Sequence, residues 1–308
     1  MKSSVHPSLR AGLVLVFTAV SLFASLSAQA ASSVVLQFTS TGVNTSGNVM
    51  TLNSPHLNGK PGLNLIVTQD VSLAAVVVND HPIGVFYNGA TKEWNIFNED
   101  VVAIPVGAIF DVLIPAVAKR VDGGATNSFF NQTIFPLRKG NPNALLLQTH
   151  VFDPFPSITN GALNGVFQVS PVGLYFNPVI TTKPIPASSG CWAVFNESVA
   201  PAVATAYTVA DVTTEGVRGT PYSFIFTTTA ANIGKDLALI SNPATNGKPN
   251  AVVFANHIST AAVPVFDEVY AVVYYVPNSS WGIITEDGSN MPVGVSFVVT
   301  AYPSVTGT

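Results

Sequence analysis

The sequence predicts an all-β protein built from three tandem homologous sandwich- or barrel-like units, with a single β body of pseudo-threefold symmetry as the alternative arrangement. Runs of Val, Ile, Phe, Tyr and Thr are punctuated by Gly, Pro, Asn and Asp, the pattern of short strands and turns. Charged helical faces with apolar residues at i, i+3 and i+4 are absent beyond the first 30 residues. One segment also occurs three times, as WNIFNED from Trp94, WAVFNES from Trp192 and WGIITED from Trp281. Each tryptophan is followed five residues later by a glutamate, at Glu99, Glu197 and Glu286.

The elements follow in order. Residues 1–30 read as a secretory signal: Lys2 and Arg10 form a basic start, AGLVLVFTAVSLFASL an apolar core and Ala28-Gln29-Ala30 a small-residue cleavage site. The apolar core is too short for a span of about 20 residues, so the mature chain is expected to begin near Ala31 without a membrane span. The units are then placed at 31–118, 119–212 and 213–308. Each opens on an aromatic, Thr-rich stretch, FTSTGVN from Phe38 and FTTTAANI from Phe226, with FFNQT from Phe129 as the shortened second copy. A corner follows, ending at Pro61, Pro142 and Pro249; Asn-Gly favours positive φ there and proline fixes φ. The next strand, GLNLIVTQ, NALLLQTH or NAVVFANH, is apolar enough to be buried on both faces. A variable loop leads to HPIGVFY, SPVGLYF or EVYAVVY, then to the Trp strand and finally to IPVGAIFDV, APAVATAYTV or MPVGVSFVV. About six short strands per unit are expected, with boundaries near 116–128 and 210–223.

The ordered blocks NP-x-x-NG-x-PNA, HP-x-GV-x-Y, W-x-IFNED and MP-x-G-x-x-F resemble a repeat of secreted and surface proteins of environmental bacteria, a family of unknown function. The resemblance covers nearly all of the mature chain. It implies an exported bacterial all-β repeat and brings no catalytic residue. The second copy departs most from the pattern, since it lacks the NG corner and the MP-x-G block.

Composition narrows the function. Removal of the signal leaves 10 basic against 16 acidic residues, a formal charge of −6, which excludes a nucleic-acid partner dependent on clustered Lys and Arg. Only 9% of residues are charged, a surface suited to lateral association because few charges must be desolvated. The single cysteine, Cys191, cannot form an intrachain disulfide, so the fold must rest on its core.

The repeated acids are the leading candidates for a site. Glu99, Glu197 and Glu286, with Asp100 and Asp287 beside two of them, would serve as oxygen ligands for Ca²⁺ or, more simply, as turn acids accepting backbone N–H bonds. His150 and His257 lie eight residues after their corner prolines, where the first unit has Gln69, which suits a hydrogen-bonding position better than a general base. Cys191 lacks a signalled His partner. Hydrolase, zinc, P-loop and dinucleotide motifs are absent, leaving carboxylate pairs such as Asp267 with Glu268, or Asp153 with Glu197, for a glycosidase reading. The tryptophans would stack on a surface glycan if exposed, as would Tyr274 and Tyr275. However, Trp94 and Ile96 share a face, as do Trp281 and Ile283, and this alternation points them at a core. The leading expectation is a non-enzymatic exported protein of the cell surface or matrix, without cofactor, with self-association as its partner chemistry. A carbohydrate- or Ca²⁺-binding module comes second, and a secreted hydrolase third.

Overall fold

Among the described residues each unit holds seven strands, one more than the six expected. The computed structural model describes residues 32–71, 76–152, 165–177, 190–198, 205–213, 222–259 and 265–306, so the signal segment and Asp153 lie outside the described residues. The first unit comprises β1 (Val34–Thr39), β2 (Thr45–Ser46), β3 (Val49–Leu52), β4 (Ile66–Asp70), β5 (Ile83–Asn88), β6 (Glu93–Asn98) and β7 (Ile109–Ile114). The second comprises β8 (Ala118–Asp122), β9 (Ser128–Phe129), β10 (Gln132–Phe135), β11 (Leu146–Val151), β12 (Val172–Asn177), β13 (Cys191–Asn196) and β14 (Ala206–Asp211). The third repeats the series as β15 (Ser223–Thr227), β16 (Ile233–Gly234), β17 (Leu237–Leu239), β18 (Val252–Ser259), β19 (Tyr270–Tyr275), β20 (Ser280–Thr285) and β21 (Ser296–Tyr302).

Each unit divides its strands between two sheets, a three-stranded half such as β1-β7-β4 and a four-stranded half such as β2-β3-β6-β5. Pairing inside a half is antiparallel. The halves do not stop at the unit boundary. β5 pairs in parallel with β11, β12 with β18, and β19 with β4, so every four-stranded half continues into the three-stranded half of the following unit. The third joint returns to the first unit and closes a ring of three seven-stranded sheets. Thr306 reinforces that closure: its N–H reaches the Val35 carbonyl at 2.9 Å and its hydroxyl accepts the Val35 N–H at 2.8 Å. Three homologous sandwich-like units thus form one pseudo-threefold body, because no unit can complete its sheets without both neighbours.

Each sandwich has its own core, around Trp94 and Phe110, Trp192 and Tyr207, or Trp281 and Phe297. Full burial of such side chains contributes roughly 1.5–3 kcal/mol each. The second core runs on into Ile66, Leu147 and Phe254, equivalent residues of β4, β11 and β18 that meet where the three units converge. Those central strands are buried almost throughout, as their unbroken apolar runs predict.

The tryptophans and the corner prolines form one device. Trp94 Nε1–H donates to the carbonyl of Lys60 just before Pro61, Trp192 to Asn141 before Pro142, and Trp281 to Lys248 before Pro249, each at 2.9 Å. Tyr87, Phe176 and Tyr274 pack edge-on against the same indoles. The rings are therefore walled in, and the corner is pinned to the Trp strand.

The opening of the second unit is corrected by the structure. AVAKRVDGGATNS, read as a boundary, contains the edge strand β8, which pairs with β14. The counterpart of FTSTGVN is VDGGATN rather than FFNQT, because Asn127 repeats the local bonding of Asn44 and Asn232: each carboxamide oxygen accepts the N–H three residues earlier. Val121 replaces the aromatic that marked the other copies, and this substitution hid the match.

Candidate functional site

At the end of each Trp strand the glutamate N–H continues the ladder, bonding Pro82 O, Pro171 O or Val269 O within its own unit. Its side chain then crosses the parallel joint into the next unit. Glu99 Oε1 meets His150 Nδ1 and Glu197 Oε1 meets His257 Nδ1, with all four side chains no more than 1% exposed. The second oxygens accept backbone N–H groups of the same neighbour, Gln168 at 3.0 Å and Phe266 at 3.2 Å. Two slots read separately in the sequence are thus one pair, formed across the unit interface.

The third interface is built differently. Glu286 accepts the Asn79 N–H at 3.3 Å and lies beside Gln69, but Gln69 Nε2 and Glu286 Oε2 reach no hydrogen-bond geometry. Burial pushes the Glu286 carboxyl well above the usual carboxylate range; the Asn79 amide and the Gln69 side chain, which is close enough to act on it although outside strict hydrogen-bond geometry, only partly oppose this. Glu197 is also raised by burial, against the lowering effect of His257.

A glycine explains why the reach is possible. Gly84 is the register partner of His150, and a Cβ there would lie 2.1 Å from Glu99 Oε1; a Cβ on Gly173 would lie 2.2 Å from Glu197 Oε1. The third unit has Ala271 at this place and Ile284 where the others have Phe97 and Phe195. The change from Gly, Phe and His to Ala, Ile and Gln is therefore concerted across one joint.

A cavity of about 100 Å³ lies where the three units meet. Its wall takes equivalent residues from each, including Thr68, Thr149 and Asn256 of the central strands. Thr149 Oγ1 accepts the Val67 N–H at 2.9 Å and Asn256 Oδ1 accepts the Gln148 N–H at 2.8 Å, so these side chains also bind unit to unit. At the joint between the second and third units, Phe266 and Tyr270 close around His257, and His257 does not line the space. The corresponding residues elsewhere are Gln168 and Val172, or Asn79 and Ile83, and these leave room.

Half-buried residues form the rim. His81 Nδ1 contacts Asp100 Oδ2 at 2.6 Å, Ser198 donates to Ser170 at 2.7 Å, and Glu268 lies against Asp287. The Glu268 and Asp80 carboxyls are raised by desolvation and by surrounding acids that include Asp287. Asp267, also raised by burial, is exposed beside Glu268. Asp100 and Asp287 accordingly serve rim pairs, away from the buried glutamates. Among the described residues no group of three or more His, Cys, Asp or Glu side chains is placed to hold a metal ion. Cys191 is buried among Ile134, Ala193 and Tyr175.

One acidic cluster gave no sequence signal. Asp111, fully buried on β7, shares Gln37 with Asp70: Gln37 Nε2 donates to Asp111 Oδ1 at 2.9 Å and to Asp70 Oδ2 at 3.3 Å. Burial pushes Asp70 up to about 7, and burial with the neighbouring Asp70 carries Asp111 well above the carboxylate range. The other units have Thr208 and Val298, or Val151 and Ile258, in these places, so no repeat pattern drew attention to them.

A family model described as a domain of unknown function, DUF7452, matches residues 19–114 and 173–301, more than half of the chain. The chain belongs to this family. No curated protein and no solved structure gives a significant match.

Proposed function

We propose that this member of the DUF7452 family is an exported, non-enzymatic structural protein that works by self-association or adhesion at a bacterial cell surface or in the extracellular matrix. The burial of the repeated acids and histidines carries this reading, because Glu99 with His150 and Glu197 with His257 are consumed in fastening one unit to the next. Export rests on the signal-like first 30 residues. The low charge supports lateral contact, as do apolar turn residues held in solvent: Val43 is 98% exposed, Phe130 74% and Val106 66%. The buried tryptophans offer no stacking face to a glycan.

The test is sedimentation of the mature chain over a range of concentrations, alongside turnover assays with ester, glycoside and peptide substrates. Concentration-dependent assembly that Val43→Asp and Val106→Asp abolish without lowering Tm supports the proposal. A monomer that turns over a substrate, and loses that activity on a single Glu or His change with the fold intact, refutes it.

A further inference from the structure

The three joints are not equally tied. The first and second lie between units that follow one another in the chain; β7 and β8, for example, are separated by residues 115–117 alone. If such a joint parts, the tether keeps its two surfaces at high effective concentration and they close again. The third joint binds the last unit to the first, which no direct connection links. Its ladder is also the shortest among the described residues: Val272 and Asp70 are its one register pair, where the other joints have two each.

The groups buried there favour opening. At the first two joints the glutamate uses both carboxylate oxygens on the next unit. At the third, Glu286 Oε2 and Gln69 Nε2 are buried outside hydrogen-bond geometry, and burial raises the Glu286 carboxyl. Asp70, in the ladder itself, is raised by burial as well. A carboxyl raised in this way is better solvated in water at neutral pH, so both oppose closure. A latch holds the joint against them. Thr306 makes its two bonds to the Val35 backbone from residues 303–306, an exposed stretch outside any strand, and such chain ends fray readily.

Parting the third joint bares two strand edges, β4 on one side and β19 on the other. A bare edge is a template for another strand, and a second opened copy presents the edge that already fits. The contact is head-to-tail: it makes a ring when its rotation closes and an open helix when an axial offset prevents closure. We propose that copies of this chain join end to end by strand exchange at the third joint, β19 of one pairing in parallel with β4 of the next. The opened rings then continue as a helical fibre. This rests on the self-associating reading above and adds an axial contact to the lateral one made by the apolar turns.

The Val43→Asp, Val106→Asp double variant isolates the axial contact. Sedimentation of fresh protein reads lateral assembly, whereas exchange requires the ring to open and is slow. Held concentrated for days below its Tm, the double variant should form a ladder of multiples of one chain that persists on dilution, read by size exclusion with light scattering. Ending the chain at Pro303 removes the latch and should speed the ladder at least tenfold. Gln69→His, Ala271→Gly and Ile284→Phe give the third joint the residues of the other two and should slow it at least tenfold. In a Cys191→Ala chain, Asp70→Cys and Val272→Cys place cysteines at register partners. Oxidised before concentration this chain should stay monomeric; oxidised afterwards, its disulfides should join different chains on a non-reducing gel. The proposal is overturned if the double variant stays monomeric, if neither the latch deletion nor the restored joint changes the rate, or if disulfides in the isolated oligomers fall within single chains. A monomeric double variant whose parent assembles would overturn the strand exchange and leave the lateral reading standing; a ladder from a parent that shows no lateral assembly would do the reverse.

Discussion

Gly84→Ala removes no contact and adds one methyl group, yet it should be among the most damaging small changes available. The new Cβ would sit 2.1 Å from Glu99 Oε1 and 2.8 Å from the Phe97 ring. The carboxylate must retreat by about an ångström or more to reach ordinary contact, which breaks its bond to His150 and loosens that to the Gln168 N–H. Separating a buried pair costs about 3–5 kcal/mol, whereas crowding alone costs about 1–3 kcal/mol. Because both describe the same displacement they overlap, and a loss of about 4 kcal/mol is expected. At roughly 2–4 °C per kcal/mol for a large domain, Tm should fall by about 10 °C. Gly89→Ala is the control, since a Cβ there meets nothing within 4 Å, and its Tm should stay close to the unaltered value. The triple change Gly84→Ala, Phe97→Ile, His150→Gln transplants the chemistry of the third joint and should recover at least half of the lost stability. Thermal and urea denaturation read both effects. An unchanged Tm for Gly84→Ala, or a triple variant no better than the single one, refutes the argument.

Three further outcomes follow from other parts of the body. In a double-mutant cycle on Glu197→Gln and His257→Ala, urea unfolding should give a coupling of about 1 kcal/mol or more, because each single change strands the other partner. Asp70 and Asp111 bind protons more tightly folded than unfolded, so stability should fall as pH rises above about 4, the Asp70 share being lost by about pH 7 and the Asp111 share as its own raised carboxyl ionises. The Asp70 shift corresponds to at most about 4 kcal/mol, and less given its partial solvent access; Asp111→Asn should flatten the slope and stabilise the protein at pH 8. The native tryptophans should resist acrylamide quenching until the protein unfolds, and Trp192→Phe, which frees the Asn141 carbonyl, should cost about 1–2 kcal/mol.

The strands, the triplication and the inward tryptophans were legible in the sequence because alternation, turn residues and repetition are local or periodic signals. The joints were not. A parallel pairing such as Gly84 with His150 links residues far apart in the chain and leaves no motif between them. The Glu slot and the His or Gln slot were therefore both visible, while their meeting was not. A hint lay at the third joint, where Gln69 of the first unit replaces histidine on one side and Ala271 of the third unit replaces glycine on the other. Asp70 and Asp111 were hidden for a different reason: they break the repeat, and reading by repetition passes over whatever occurs once.

The closed ring bears on how such a protein can arise. Each unit offers its four-stranded half to one neighbour and its three-stranded half to the other, a head-to-tail contact whose rotation closes after three copies. A single free unit carrying the Gly, His and Glu of the first joint would thus have the complementary surfaces of a cyclic homotrimer. Fusion into one chain releases those surfaces from having to stay identical. One joint closes with aromatic rings around His257 while another carries glutamine and alanine where the rest have histidine and glycine. The chamber at the centre is the asymmetry that a symmetric trimer could not have acquired one wall at a time.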